Sequence, residues 1–343
     1  MKEHKGVFVI AELSANHGGN IEVAIDSIRA AKRTGADAVK LQTYTPDTIT
    51  IDSDNEDFLV KGGTIWDNQK LYDLYKEGTL PWEWHAELFK VAKEEGLICF
   101  SSPFDKTAVD LLESLNCPIY KIASLEITDL PLIEYIAKTQ KPLILSTGIA
   151  NHEDIKLAIE ACKAQGNYDI TVLKCTTAYP TPMDEVNLVM MQQLAKDFDV
   201  KIGLSDHTMG LVVPVMSVAM GATMIEKHFI ADKSIGGPDA SFSLDETEFT
   251  EMVKAVRQAE QAMGIISYEL TEKQIIGRTY VRSLYVVKDI AEGEIITEEN
   301  VRSVRPGYGL HPKYLKSALG EKANKNLKKG MRFSLDYIEK SKK

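Results

Sequence analysis

Two rhythms alternate along the first three-quarters of the chain. Short β-branched or apolar segments recur at 7–12, 38–42, 98–102, 119–123, 143–147, 171–176, 201–205 and 222–229. Between them lie amphipathic stretches with helical spacing, at 21–34, 81–95, 106–115, 130–139, 153–165 and 186–198, with a last one at 245–263. Strand–helix alternation of this kind predicts a parallel sheet with right-handed crossovers. Eight such units over about 260 residues fit an α/β fold of the (β/α)8 TIM-barrel type better than an open doubly wound sheet. Gly35-Ala36-Asp37-Ala38 and Glu95-Gly96 each place a glycine between a helix and the next strand, as αβ turns at the barrel's stability face require.

The rhythm stops after the eighth unit. Strand-like segments at 283–287, 293–296 and 301–305 and a helix at 312–319 follow with no further βα repeat. The predicted organisation is a catalytic barrel over 1–264, a linker over 265–282 and a small separate module over 283–343. About 60 residues bury little surface, so that module is expected to pack against the barrel or a second chain.

Composition narrows the class. The chain of 343 residues is 26% charged, and none of its apolar runs approaches the ~18 residues of a membrane span. The run at 7–11 is too short for a signal-peptide core and leads straight into Glu12, so it reads as a first strand. Cys99, Cys117, Cys162 and Cys175 show neither CxxC pairing nor zinc spacing, which predicts buried reduced thiols and a cytoplasmic protein. A net charge of −10 argues against a nucleic-acid partner. Residues 283–343 nevertheless carry 13 Lys/Arg against 8 Asp/Glu, so the two modules differ in sign and could dock on one another, although solvated surface charge is the simpler reading.

Candidate chemistry gathers at the C-terminal ends of the predicted strands, where barrel enzymes carry their active sites. His207, in Gly203-Leu204-Ser205-Asp206-His207, and His228, in Ile225-Glu226-Lys227-His228, end consecutive strands. Two imidazoles without a cysteine suit Mn²⁺, Fe²⁺ or Zn²⁺ with open positions, a catalytic arrangement; the bland reading is two hydrogen-bonded strand caps. Lys40, Lys121 and Lys174 near strand ends predict an anionic, phosphorylated ligand, with Ser102, Ser124, Ser146 and Ser205 as neutral donors. Some of these residues would instead face outward and snorkel to water. Glu12, Glu126 and Glu226 are acid–base candidates, Glu226 more naturally an orienting partner for a histidine or lysine. His17, in a loop after the first strand, is as easily a plain loop residue.

The same residues carry a resemblance. Ala11-Glu12 followed by Asn16-His17-Gly18, Lys40-Leu41-Gln42-Thr43, Ser101-Ser102-Pro103-Phe104, Tyr120-Lys121-Ile122-Ala123-Ser124, Ser146-Thr147-Gly148, Tyr179-Pro180-Thr181-Pro182, Gly203-Leu204-Ser205-Asp206-His207 and Glu226-Lys227-His228-Phe229 run in the order found in the sialic acid synthase family. Lys288-Asp289-Ile290, Gly293-Glu294 and Arg305-Pro306-Gly307 resemble its antifreeze-like (SAF) domain. Ser14-Ala15-Asn16-His17, Lys61-Gly62-Gly63 with Trp66, Ser241-Phe242-Ser243 and Gly309-Leu310-His311-Pro312 are most similar to the family's pseudaminic acid-forming members. Ala240 and Thr177 stand where sialic acid synthases usually have histidine and asparagine, which speaks against N-acetylmannosamine as substrate.

The resemblance implies a transferase that condenses phosphoenolpyruvate with the open-chain aldehyde of 2,4-diacetamido-2,4,6-trideoxy-L-altrose and releases phosphate. It implies that His207 and His228 hold a divalent metal, Mn²⁺ before Mg²⁺ or Co²⁺. Phosphoenolpyruvate would be surrounded by Lys40, Ser102, Lys121, Ser124, Ser146 and Ser205, and the sugar by Gln42, Tyr179 and Asp239. Glu12 and Glu126 would stabilise a cationic centre or move protons, and Arg305 would enter the partner chain's site in a domain-swapped homodimer. The alternatives are a relative making sialic or legionaminic acid, a metal-dependent barrel aldolase, and a structural barrel bearing an ice- or glycan-binding module. A structural barrel gains nothing from so many polar strand ends.

Overall fold

A computed structural model of the protein describes residues 6–61, 63 and 66–339, and the chain divides into two compact units, Met1–Gly264 and Ile265–Lys343. Gly62 of the Lys61-Gly62-Gly63 motif and residues 340–343 of the C-terminal module lie outside the described residues.

The first unit is the predicted barrel. Strands β1 (Phe8–Glu12), β2 (Ala38–Thr43), β3 (Ile98–Pro103), β4 (Tyr120–Ile122), β5 (Leu143–Ser146), β6 (Ile170–Lys174), β7 (Lys201–Asp206) and β8 (Met224–His228) pair in sequence order, and β8 closes on β1 in parallel. β1 is buried at all five positions, because one face fills the barrel and the other lies under helices; this is why such strands read as unbroken apolar runs. The helices between them start and stop on local chemistry. Asn20 accepts the Glu22 N–H at the head of Ile21–Thr34, and Gly35 ends that helix at φ 85°, a left-handed setting glycine takes without strain. A capping box of Asp245 and Glu248 opens Glu246–Met263.

Two features were not legible. Helix Val212–Ala219 is apolar at nearly every position, so no polar face marks its period. The connection from β2 to β3 also holds helices Pro46–Ile49 and Leu71–Gly78 ahead of the predicted one, which begins only at His85.

Register decides which side chains enter the barrel. Glu12 stands opposite Lys40 on one side and His228 on the other, Gln42 opposite Ser102, Ser146 opposite Leu173, and Ser205 opposite Glu226. Side chains alternate faces along a strand, so these cross-strand partners, with Lys121, share the inner face. Lys174 pairs with Leu204 and so has the parity of Asp206 and Lys227, which face outward.

In the second unit, β9 (Ser283–Val286) runs antiparallel to β10 (Val301–Val304) around a core that includes Leu284, Val286, Ile290, Leu327 and Phe333. The strand expected at 293–296 is reduced to a bridge between Ile295 and Lys322, and the expected helix at 312–319 is a 3₁₀ turn, Pro312–Tyr314, followed by Leu315–Ala318. The stretch 265–282, read as a linker, contains helix Glu272–Gly277.

Candidate active site

The two inward lysines are both ion-paired. Lys40 Nζ lies 2.6 Å from Glu12 Oε2, 3.2 Å from Ser102 Oγ and 3.9 Å from Glu226 Oε1. Lys121 Nζ lies 2.7 and 2.9 Å from the two oxygens of Glu226, and Ser205 Oγ is 3.3 Å from Glu226 Oε1. All four charged residues are at least 95% buried, a position ions tolerate only when paired. Burial opposes charge on each of them. For Lys40 the Glu12 and Glu226 carboxylates outweigh it and hold the ammonium above its usual range, and for Glu226 the two lysines outweigh it and hold the carboxyl low. Glu12, which burial and Glu226 push up, and Lys121, which burial and Lys40 push down, are the members closest to neutrality.

Two further sequence-predicted groups, just after β4 and at the end of β5, are buried and unsatisfied among the described residues. Ser146 Oγ has no hydrogen-bond partner, and neither has Glu126 Oε2. Burial raises the Glu126 carboxyl to about 7. Ser124 Oγ accepts the Gly148 N–H at 3.1 Å. Lys174, expected with the other lysines, is turned away by its parity and spends its ammonium on Cys175 O at 2.7 Å and Thr176 Oγ1 at 3.0 Å.

The rings of His207 and His228 lie 5.2 Å apart, centre to centre, which lets both reach one ion at metal–nitrogen distances of about 2.1 Å. Their surroundings fit that task. His207 Nδ1 is 3.0 Å from Thr176 O, a bond that puts the proton on Nδ1 and leaves Nε2 a free lone pair. His228 Nδ1 is buried without a hydrogen-bond partner among the described residues, and burial, more than any neighbouring charge, pushes this imidazole well below its usual pKa. Among the described residues there is no group of three or more His, Cys, Asp or Glu side chains that could hold a metal.

On the sugar side expected from the sequence, Gln42 Nε2 donates to Glu12 Oε1 at 2.9 Å and to Ser14 Oγ at 3.0 Å. Asp239 accepts from Ser14 Oγ and lies 3.9 Å from His228 Nδ1. Tyr179 packs its ring 4.4 Å from His207 and 5.0 Å from Phe242, which is itself 5.0 Å from His228, and Trp66 meets Tyr179 at 5.8 Å. His17 packs instead against Trp84, its Nδ1 accepting the Gly19 N–H. Arg305 belongs to the second unit, where it is exposed and precedes a cis proline.

Sequence reasoning missed Cys175. The sequence marks it only as one of four buried reduced thiols; burial pushes it up, but His207, Ser124 and Lys121 together pull it down to about 7. Its Sγ lies 3.9 Å from His207 Nδ1. Its two-residue spacing from Leu173, on the inner face, was the available signal. All four cysteines are free and buried.

The family model of the NeuB family matches residues 27–268, and that of the SAF domain matches 281–331. The chain is 52% identical over 326 residues to the pseudaminic acid synthase of Campylobacter jejuni, covering 95% of each chain, and 50% identical over 334 residues to that of Helicobacter pylori, covering 97% and 98%. Among solved structures it resembles an N-acetylneuraminic acid synthetase of Leptospira borgpetersenii in complex with citrate, with a TM-score of 0.71 and 27% identity over 80% of this chain and 90% of that one.

Proposed function

The chain belongs to the NeuB family and carries a SAF domain, and from that premise we propose that it is a pseudaminic acid synthase. It condenses phosphoenolpyruvate with the open-chain aldehyde of 2,4-diacetamido-2,4,6-trideoxy-L-altrose and releases phosphate. The observation that carries this reading is the meeting, at one end of the barrel, of the His207/His228 pair with the Lys40/Lys121 cluster, in a chain half identical throughout to synthases of that product.

Lys40 and Lys121, with the hydroxyls of Ser102, Ser124, Ser146 and Ser205, hold the phosphate and carboxylate of phosphoenolpyruvate; Ser146 Oγ, buried and unpaired, is a donor in waiting. Gln42 and Asp239 take the polar groups of the sugar, and Tyr179 packs against it. His207 and His228 hold a divalent ion, Mn²⁺ before Mg²⁺ or Co²⁺, which when bound supplies Lewis-acid polarisation of the aldehyde. The methylene carbon of phosphoenolpyruvate attacks the aldehyde carbon, and positive charge grows at the enol carbon. The carboxylates of Glu12 and Glu126 stabilise that centre and take up the proton of the water that adds there. Glu126, at about 7, is matched to taking and returning a proton near neutrality. The tetrahedral carbon then expels phosphate by C–O cleavage. Arg305 of a second copy completes the sugar site in a domain-swapped homodimer. Four buried free thiols fit a cytoplasmic enzyme, and no helix among the described residues is long and apolar enough to cross a membrane.

The test is a phosphate-release assay with phosphoenolpyruvate, Mn²⁺ and a panel of amino-sugar aldehydes. Turnover confined to the trideoxy-altrose, lost in EDTA and restored by Mn²⁺, is the expected result. Turnover of N-acetylmannosamine alone would move the chain to another branch of the family, and full activity in chelator would remove the metal.

A further inference from the structure

Among the described residues, six non-glycine residues have positive φ. Four are asparagine or aspartate, which tolerate that backbone, and Gln140 follows the helix Leu130–Ala137; the sixth, Ser14 at φ 45°, stands in the active site. Glycine would take this conformation without strain, so the serine side chain is held there against its backbone preference. Its hydroxyl has two partners. It donates to Asp239 Oδ2 and accepts from Gln42 Nε2 at 3.0 Å, and the residue is 94% buried. The next residue adds to the same grip, since the Ala15 backbone also hydrogen-bonds the Asp239 carboxylate.

We infer that Ser14 is a positioning residue for the acceptor sugar: its hydroxyl fixes which atoms of Gln42 and Asp239 are presented to the ligand. The inference rests on the reading of Gln42 and Asp239 as sugar contacts. A hydroxyl has one proton, and that of Ser14 goes to Asp239, so toward Gln42 it can only accept. Glu12 Oε1, 2.9 Å from the same Nε2, is a carboxylate oxygen beside Lys40 and also accepts. Both neighbours therefore demand the NH₂ end of Gln42, and its carbonyl oxygen is left for a donor on the sugar, a hydroxyl or an acetamido N–H. Asp239 is fixed in the same way, with Oδ2 occupied by Ser14. One hydroxyl thus orders groups from the β1 loop, β2 and the segment after β8, while the lysines that meet phosphoenolpyruvate are held by other residues.

The experiment is steady-state kinetics on full-length Ser14→Gly and Ser14→Ala, with thermal melting of each. Ser14→Gly removes the hydroxyl and relieves the backbone, so its Tm should match or exceed wild type. The KM for the acceptor sugar should rise about tenfold or more, with the KM for phosphoenolpyruvate within about twofold. Ser14→Ala, which keeps the strained backbone, should show the same split. A sugar KM within about twofold of wild type in both variants overturns the inference, and so does a large fall in Tm with both KM values rising together, which marks a general structural role. If wild type turns over a different amino sugar, the comparison is made with that sugar, and only the substrate reading has failed. If wild type turns over none, both readings fall.

Discussion

Lys227 Nζ lies 2.5 Å from Asp206 Oδ2 on the outer face of the barrel, directly behind the two histidines. The same ammonium donates to Thr208 O, so it brackets His207 from both sides along the chain, and its own neighbour is His228. We expect Lys227→Met to weaken Mn²⁺ binding about 10-fold or more, as loss of an outer support does at metal sites. The measurement is a metal titration well below the melting temperature. Unchanged affinity would reduce the pair to a structural role.

A lysine kept only for substrate could be truncated at no cost to stability, but Lys121 is bonded to both oxygens of a buried carboxylate. Lys121→Met should abolish turnover and also lower Tm by on the order of 10 °C, from the roughly 3–5 kcal/mol of a broken buried pair. Adding Glu226→Gln should restore much of the Tm and none of the activity. Calorimetry on the single and double variants checks both halves.

Glu126 gives a pH signature. Its carboxyl is raised from 4.5 to about 7, chiefly by burial, so the folded state holds a proton that the unfolded state has already released. The stability it contributes is complete below about pH 4.5 and is lost as pH rises through 7, roughly 3 kcal/mol in all. Glu126→Gln should flatten that slope in unfolding free energy measured from pH 4.5 to 7.5. If Glu126 also moves the proton in turnover, the variant loses the limb of the rate profile near 7 as well.

Arg305 is tested by complementation. His228→Ala and Arg305→Ala should each be inactive alone as homodimers. Coexpressed, they should recover about a quarter of wild-type activity if the arginine acts across a twofold interface, since half the dimers are mixed and each has one complete site. No recovery would place Arg305 in its own chain's site or outside the reaction.

Much of the barrel could be read from the chain because its strands are buried on both faces and its helices on one, so the two kinds of segment carry different periods. Val212–Ala219 escaped because a helix without a polar face has no period to show. The site was legible as a set of residue types at strand ends but not as partners. That Lys40 and Lys121 face inward while Lys174 faces out depends on register, a property of two strands at once. Ser14 and Cys175 look like ordinary loop and core residues in the sequence; only their placement against Asp239 and His207 distinguishes them.

The pairing of each inward lysine with a glutamate makes the site an ion exchanger rather than a reservoir of positive charge. On the proposed placement of phosphoenolpyruvate, the phosphorylated acid would not meet bare ammonium groups; it would compete for them with counter-ions the protein already holds. The displaced carboxylates stay buried, and Glu12, already raised, is the first to take a proton. Loading phosphoenolpyruvate should therefore draw protons from solution, so that its measured binding enthalpy changes with the ionisation heat of the buffer.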